Sequence, residues 1–248
     1  MSASELNPED LKRLLARVDG LPPAEVRRLL SGLAGEVDRR SAADGLFWLR
    51  FVVTRDEADP ASAVKAFPLH LEYIRLIWQE LATKQKLVIA KSRQMLMSWL
   101  MAAFCVWWAR YKPNQAVYWQ TKAWDDAVAM VCMPSGGFQA RCQFIEDHLP
   151  PWMRSDYKAA EGRIQYPNGS IIQALAGGAD KIRGKTASVY VSDEFAFQED
   201  QEGVYTAVAP LIQKGAKAIF ISTPNGTANQ FATLYHGRNV ATESVINE

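Results

Sequence analysis

Two short apolar runs in this chain end on polar groups. Val189-Tyr190-Val191 leads into Ser192-Asp193-Glu194, and Lys217-Ala218-Ile219-Phe220-Ile221 leads into Ser222-Thr223-Pro224-Asn225-Gly226. Each reads as a buried strand that delivers oxygen donors at its C-terminal tip, which is where ligands bind in an open parallel sheet. Two adjacent carboxylates at such a tip suit phosphoryl transfer, one holding a divalent cation and the other polarising a water. The competing reading, a solvated turn, leaves the preceding Val189-Tyr190-Val191 run without a reason.

Phosphate binding asks for a turn after a strand whose N–H groups converge, followed at once by a helix. Two segments compete for it. Ala179 to Thr186 fits a relaxed pattern ending Gly184-Lys185-Thr186, yet only Ala187 and Ser188 separate it from the Asp-Glu strand, which leaves no room for a helix. The second segment, Lys91-Ser92-Arg93-Gln94-Met95-Leu96-Met97-Ser98, follows the strand Leu87–Ala90 and opens an apolar helix near Ser98. Its text is poor, because Leu96 and Met97 stand where glycine and lysine would precede Ser98. Lys91, seven residues before Ser98, is then the candidate to meet the β- and γ-phosphates, with the Ser98 hydroxyl on magnesium. Ordinary loop cations are the alternative for Lys91 and Arg93.

The elements that must position these groups follow from periodicity. Helical spacing from Leu11 to Asp38, broken at Gly20-Leu21-Pro22-Pro23, predicts two short amphipathic helices. A linker is expected from Asp59-Pro60 to Pro68, then a helix over 69–81. Alternation follows: strand 87–90, a helix over 98–111 that is apolar on every face, strand 116–119 and a helix over 123–133, which predicts a parallel sheet. Pro167-Asn168-Gly169 between strands 163–166 and 170–175 predicts a hairpin.

Composition bounds the rest. Lys plus Arg number 28 against 27 Asp plus Glu, so any nucleic-acid contact must be local, as at Lys181 and Lys185. The 3 cysteines, Cys105, Cys132 and Cys142, lack metal spacing and read as structural thiols of a reducing compartment. The longest apolar run, Met95 to Ala109, falls short of the roughly 18 residues of a membrane span and reads as a buried helix.

Taken in order, Ser92-Arg93-Gln94, Asn168-Gly169-Ser170, Ile182-Arg183-Gly184, Asp193-Glu194 and Ser222-Thr223-Pro224-Asn225-Gly226 resemble the ATPase domain of tailed-phage terminase large subunits, over about Phe67 to Tyr235. The resemblance implies an α/β fold, a mainly parallel sheet of the P-loop NTPase (ASCE, RecA-like) type flanked by helices. A small N-terminal helical lid, residues 1–58, would precede a core of residues 59–248. It implies a motor that spends ATP, with Mg2+, to drive double-stranded viral DNA into a procapsid. Such a motor works as a pentameric ring with the portal protein and the small terminase subunit, in the cytoplasm of the infected host and without a membrane.

Carried over, Asp193 and Ser98 would hold the metal and Glu194 would polarise the water. Residues Lys91 to Ser98 would hold nucleotide, and Ser222, Thr223, Pro224 and Asn225 would form the coupling motif. Arg183 would act in trans as an arginine finger or Arg93 in cis, and either could instead pair with an acid. The chain departs from the family pattern at Leu96 and Met97, and at Ile74, where a glutamine often reads adenine; neighbouring Tyr73 is the stand-in for base stacking, or a core aromatic. The nuclease domain that usually follows is not expected within these residues. Two rival readings remain: a helicase-like nucleic-acid-dependent ATPase, and a nucleotide-dead docking module.

Overall fold

The computed structural model describes residues 23–56, 64–92, 95–133, 139–237 and 244–246. Along these run α1 (Pro23–Ala43), α2 (Gly45–Leu49), β1 (Val53–Arg55), β2 (Val64–Ala66), α3 (Glu72–Thr83), β3 (Lys86–Ala90), α4 (Met97–Tyr111) and β4 (Ala116–Gln120). After them come α5 (Trp124–Val131), α6 (Arg141–His148), β5 (Lys158–Ala160), β6 (Arg163–Gln165), β7 (Ile171–Leu175), β8 (Val189–Ser192), α7 (Gln201–Gln213), β9 (Lys217–Ser222), α8 (Gln230–Tyr235) and β10 (Ser244–Ile246).

Eight strands form one sheet in the order β10-β3-β9-β8-β4-β7-β6-β5. It is parallel from β10 through β7, and β6 and β5 extend it antiparallel. Alternate residues feed two cores: Leu87, Ile89, Trp119, Val191 and Ile219 on one face, Val88, Tyr118, Tyr190 and Phe220 on the other. Burial on both faces is why these strands read as continuous apolar runs.

Helix α4 covers the first face and buries 11 of its 15 residues, which explains its lack of a polar side. No described helix is long and apolar enough to cross a membrane. Helix α7 covers the second face through Val204, Val208 and Leu211, one stripe at helical spacing.

The Asn168-Gly169 turn joins β6 to β7 as expected, with Gly169 at φ +84°. Its side chains also close α4. Asn168 Nδ2 donates to the carbonyls of Ala109 (2.9 Å), Arg110 (2.9 Å) and Lys112 (3.3 Å), and Ser170 Oγ donates to Lys112 O at 2.7 Å.

Two expectations shift. The second N-terminal helix continues past Asp38 to Ala43, while the first lies outside the described residues. The stretch read as a linker contains β2, which pairs antiparallel with β1, Val53 opposite Ala66. Three exposed residues carry too little pattern to announce a strand.

Candidate nucleotide site

Strands β3, β9 and β8 are neighbours, so the residues at their C-terminal tips are brought together by register: Ala90 pairs with Ser222, and Ser192 with Phe220. The chain leaving β3 is tied across this edge by Lys91 N–H, which donates to Ser222 O at 3.0 Å.

Asp193 is the focus. It is 3 % exposed, and each carboxylate oxygen already has a partner. Oδ2 accepts from Ser98 Oγ at 2.9 Å; Oδ1 lies 3.6 Å from Lys91 Nζ and accepts from Glu194 N–H at 2.9 Å. A hydroxyl from the first turn of α4, a cation from the loop after β3 and a carboxylate just past β8 thus meet at one point.

The turn into α4 shows how Leu96 replaces glycine. Leu96 is the N-cap, at φ 55° and ψ 14°, in the left-handed region, where Cβ is crowded. Met97, at 2 % exposure, turns into the core and offers no charge, so the only described loop cation at the carboxylate is Lys91. Tyr73 OH donates to Met95 O at 3.1 Å, so its polar end props the loop. Arg93 and Gln94 lie outside the described residues.

A cavity of about 620 Å³ opens on this loop, lined by Lys91, Ser92 and residues 95–99 on one side and by Arg55, Asp56 and Lys65 of the β1–β2 hairpin on the other. The hairpin's part in it was not legible: its two arms are separated by residues that carry no strand signal.

Glu194 also has positive φ, 51°, with an exposed side chain whose Oε2 is 3.9 Å from Lys122 Nζ. Such a water-screened pair holds a carboxylate loosely. Beyond it, Ala196 is gripped from both sides: its N–H donates to Ser222 Oγ at 3.1 Å and its carbonyl accepts from Asn225 Nδ2 at 3.0 Å. The Ser222-Thr223-Pro224-Asn225 motif is therefore fastened to the turn that follows the two carboxylates. Thr223 is half-buried, Pro224 exposed.

Arg183 stands elsewhere. Its Nη1 pairs with Asp180 at 2.7 Å, and it lines a separate cavity of about 270 Å³ with Gly177, Gly178 and Asp200. The Gly184-Lys185-Thr186 segment runs directly into β8 with no helix after it, as its spacing requires.

The donors at Asp193 and Ser98 are hard oxygens, the set magnesium takes when substrate phosphates and waters complete its shell. No group of three or more His, Cys, Asp or Glu that could hold a metal occurs among the described residues.

The family profile of the terminase large subunit, T4-like-virus type, N-terminal, matches residues 88–244. Three solved structures share the fold. An arginine-to-alanine mutant of the Thermus phage P74-26 large terminase ATPase domain aligns at TM-score 0.51 and 17% identity, over 66% of this chain and 69% of that one. The large terminase of a thermophilic bacteriophage in complex with ATP-γ-S aligns at 0.52 and 16%, over 70% and 42%. The bacteriophage HK97 large terminase aligns at 0.54 and 12%, over 75% of this chain and 38% of that one. The chain thus spans less than half the length of these last two large terminases. With its sheet order, its loop into α4 and its carboxylates at the tip of β8, this chain belongs to the T4-like-virus type family of terminase large subunit N-terminal domains.

Proposed function

We propose that this domain binds ATP with the phosphates on the Lys91–Ser98 turn and hydrolyses the terminal phosphoanhydride, the step that powers transfer of double-stranded viral DNA into a procapsid. One observation carries it: Ser98 and Lys91 converge on the buried carboxylate of Asp193. A relative crystallised with ATP-γ-S supports nucleotide as the occupant.

Ser98 and Asp193 would hold magnesium, which when bound neutralises charge on the phosphate oxygens. Lys91 exchanges Asp193 for a phosphate oxygen, placing a cation where the usual loop lysine would act. Glu194, exposed and loosely held, accepts a hydrogen bond from the attacking water and aims it at the γ-phosphorus. The water oxygen bonds to phosphorus, the bond to the bridging oxygen breaks, and ADP and phosphate leave. Ser222 and Asn225 feel the change through Ala196, the physical basis of a coupling motif.

Arg183, on an exposed turn, would serve a neighbour's nucleotide in a ring; Arg93 is the alternative in cis. Tyr73 supports the loop through its hydrogen bond to Met95 O, with stacking on the base as its alternative part. Portal protein, small terminase subunit, viral DNA, a pentameric ring and the host cytoplasm follow from the family's work. The division into a helical part, residues 1–58, and a core, residues 59–248, assigns β1 to the first and β2 to the second, joined by their ladder.

Calorimetric titration of magnesium-ATP into the chain tests the site. Lys91→Ala should abolish the heat, Lys185→Ala should leave it, and Glu194→Gln should keep binding while removing turnover. Loss with Lys185→Ala instead would transfer the phosphate site to the other loop and overturn the assignment.

A further inference from the structure

Gln120 is the last residue of β4, fully buried, and its side chain reaches across two strand tips. Its Nε2 donates to Ala176 O at 2.6 Å and to Gly178 O at 2.9 Å, while its Oε1 accepts from Tyr190 OH of β8. Its backbone carbonyl accepts the N–H of Asp193 at 2.9 Å. Both amide protons and the amide oxygen are thus used, which fixes the orientation of the group. One residue touches the strand that carries the metal carboxylate and the start of the turn that carries Arg183.

That turn begins where Gln120 holds it. Gly178, at φ +99°, precedes the short 3-10 turn Ala179–Lys181, and Arg183 N–H donates back to Ala179 O at 3.1 Å. The contact is tight beside it too: a Cβ on Gly177 would come within 2.7 Å of Lys122 O, and Lys122 is the residue facing Glu194.

We infer that Gln120 is a positioning residue that locks the Arg183 turn to the Asp193 strand, so that nucleotide at Asp193 is registered at the surface where Arg183 stands. This rests on the nucleotide reading above. A hydrophobic side chain of comparable volume, such as leucine, would leave two carbonyls and a tyrosine hydroxyl without partners, releasing the turn from the strand.

The test is hydrogen–deuterium exchange with and without saturating magnesium–ATP-γ-S, with calorimetry alongside, for the parent and Gln120→Leu. In the parent, nucleotide should slow exchange at least threefold both at residues 189–194 and at the 181–185 amides. In Gln120→Leu the first response should persist and the second should vanish, with affinity within threefold of the parent. A turn that still responds in the variant, or that never responds in a parent that binds, overturns the inference alone. A parent that gives no heat overturns the nucleotide reading and the inference with it. Should Gln120→Leu fail to melt cooperatively, Gln120→Glu is read the same way, since it keeps the shape and the tyrosine contact while presenting an acceptor to the two carbonyls.

Discussion

The Ser98 hydroxyl donates to Asp193 Oδ2 at 2.9 Å, joining the first turn of α4 to the tip of β8. Two oxygens that would share a cation are therefore held together by a proton before one arrives. Ser98→Ala should lower affinity for magnesium-ATP at least tenfold, about 1.4 kcal/mol, and change affinity for ATP in excess chelator by less than threefold. Parallel titrations in the two buffers distinguish a metal ligand from a general packing defect, which would weaken both.

Leu96 gives a prediction about backbone strain. At φ 55° a side chain with Cβ is disfavoured, and glycine is not. Leu96→Ala and Leu96→Gly discard nearly the same packing, yet the glycine variant should be the more stable by about 1 kcal/mol, the reverse of the order in a helix interior. Urea denaturation of both variants reads the difference; an alanine variant that equals or exceeds the glycine one refutes the strain.

Asn168 caps α4 with one amide nitrogen shared by three carbonyls. Asn168→Ala should destabilise the fold by about 1 kcal/mol, the cost of stranding partly buried acceptors. Asn168→Asp should be worse, because it sets negative charge against the negative end of the helix. Thermal melts suffice to rank them.

A pH effect follows from Lys217. It is buried at the start of β9, donates to Lys84 O and shares the Trp108 ring with Lys112. Burial, and then the charge of Lys112, bring its ammonium down to about 8. In the unfolded chain it keeps its proton to about 10.4. Between pH 8 and 10 the unfolded state therefore binds more protons, and this residue's contribution to stability rises with pH. Relative to Lys217→Met, the parent should gain about 2 kcal/mol over that interval. Buried thiols oppose the trend in both proteins, Cys132 being pushed up to about 11 by burial, and cancel in the difference.

The parallel sheet was legible because each of its central strands is apolar on both faces, and α4 because no polar face interrupts it. Asp193, Glu194 and Ser222 could be found because a strand tip is a position that sequence reveals. What was hidden depends on contacts across long separations. Leu96 carries no sign of its left-handed backbone, since glycine is the residue that would announce it. Gln120 reads as the polar end of a strand, and its grip on Ala176 and Gly178 exists only once β4 and β7 are paired. The β1–β2 hairpin is too short and exposed to show a period, yet it walls one side of the cavity.

Helix α4 is clamped at both ends: by Asp193 at Ser98, and by Asn168 and Ser170 at its last carbonyls. At 15 residues it is a rod about 22 Å long. In mechanical terms it is a strut whose far foot rests on the β6–β7 hairpin, at the antiparallel margin of the sheet. A pull on Ser98 along the helix axis would be delivered to that margin, so a force arising at the Asp193 tip of β8 would emerge at β7 and β6, on the far side of β4.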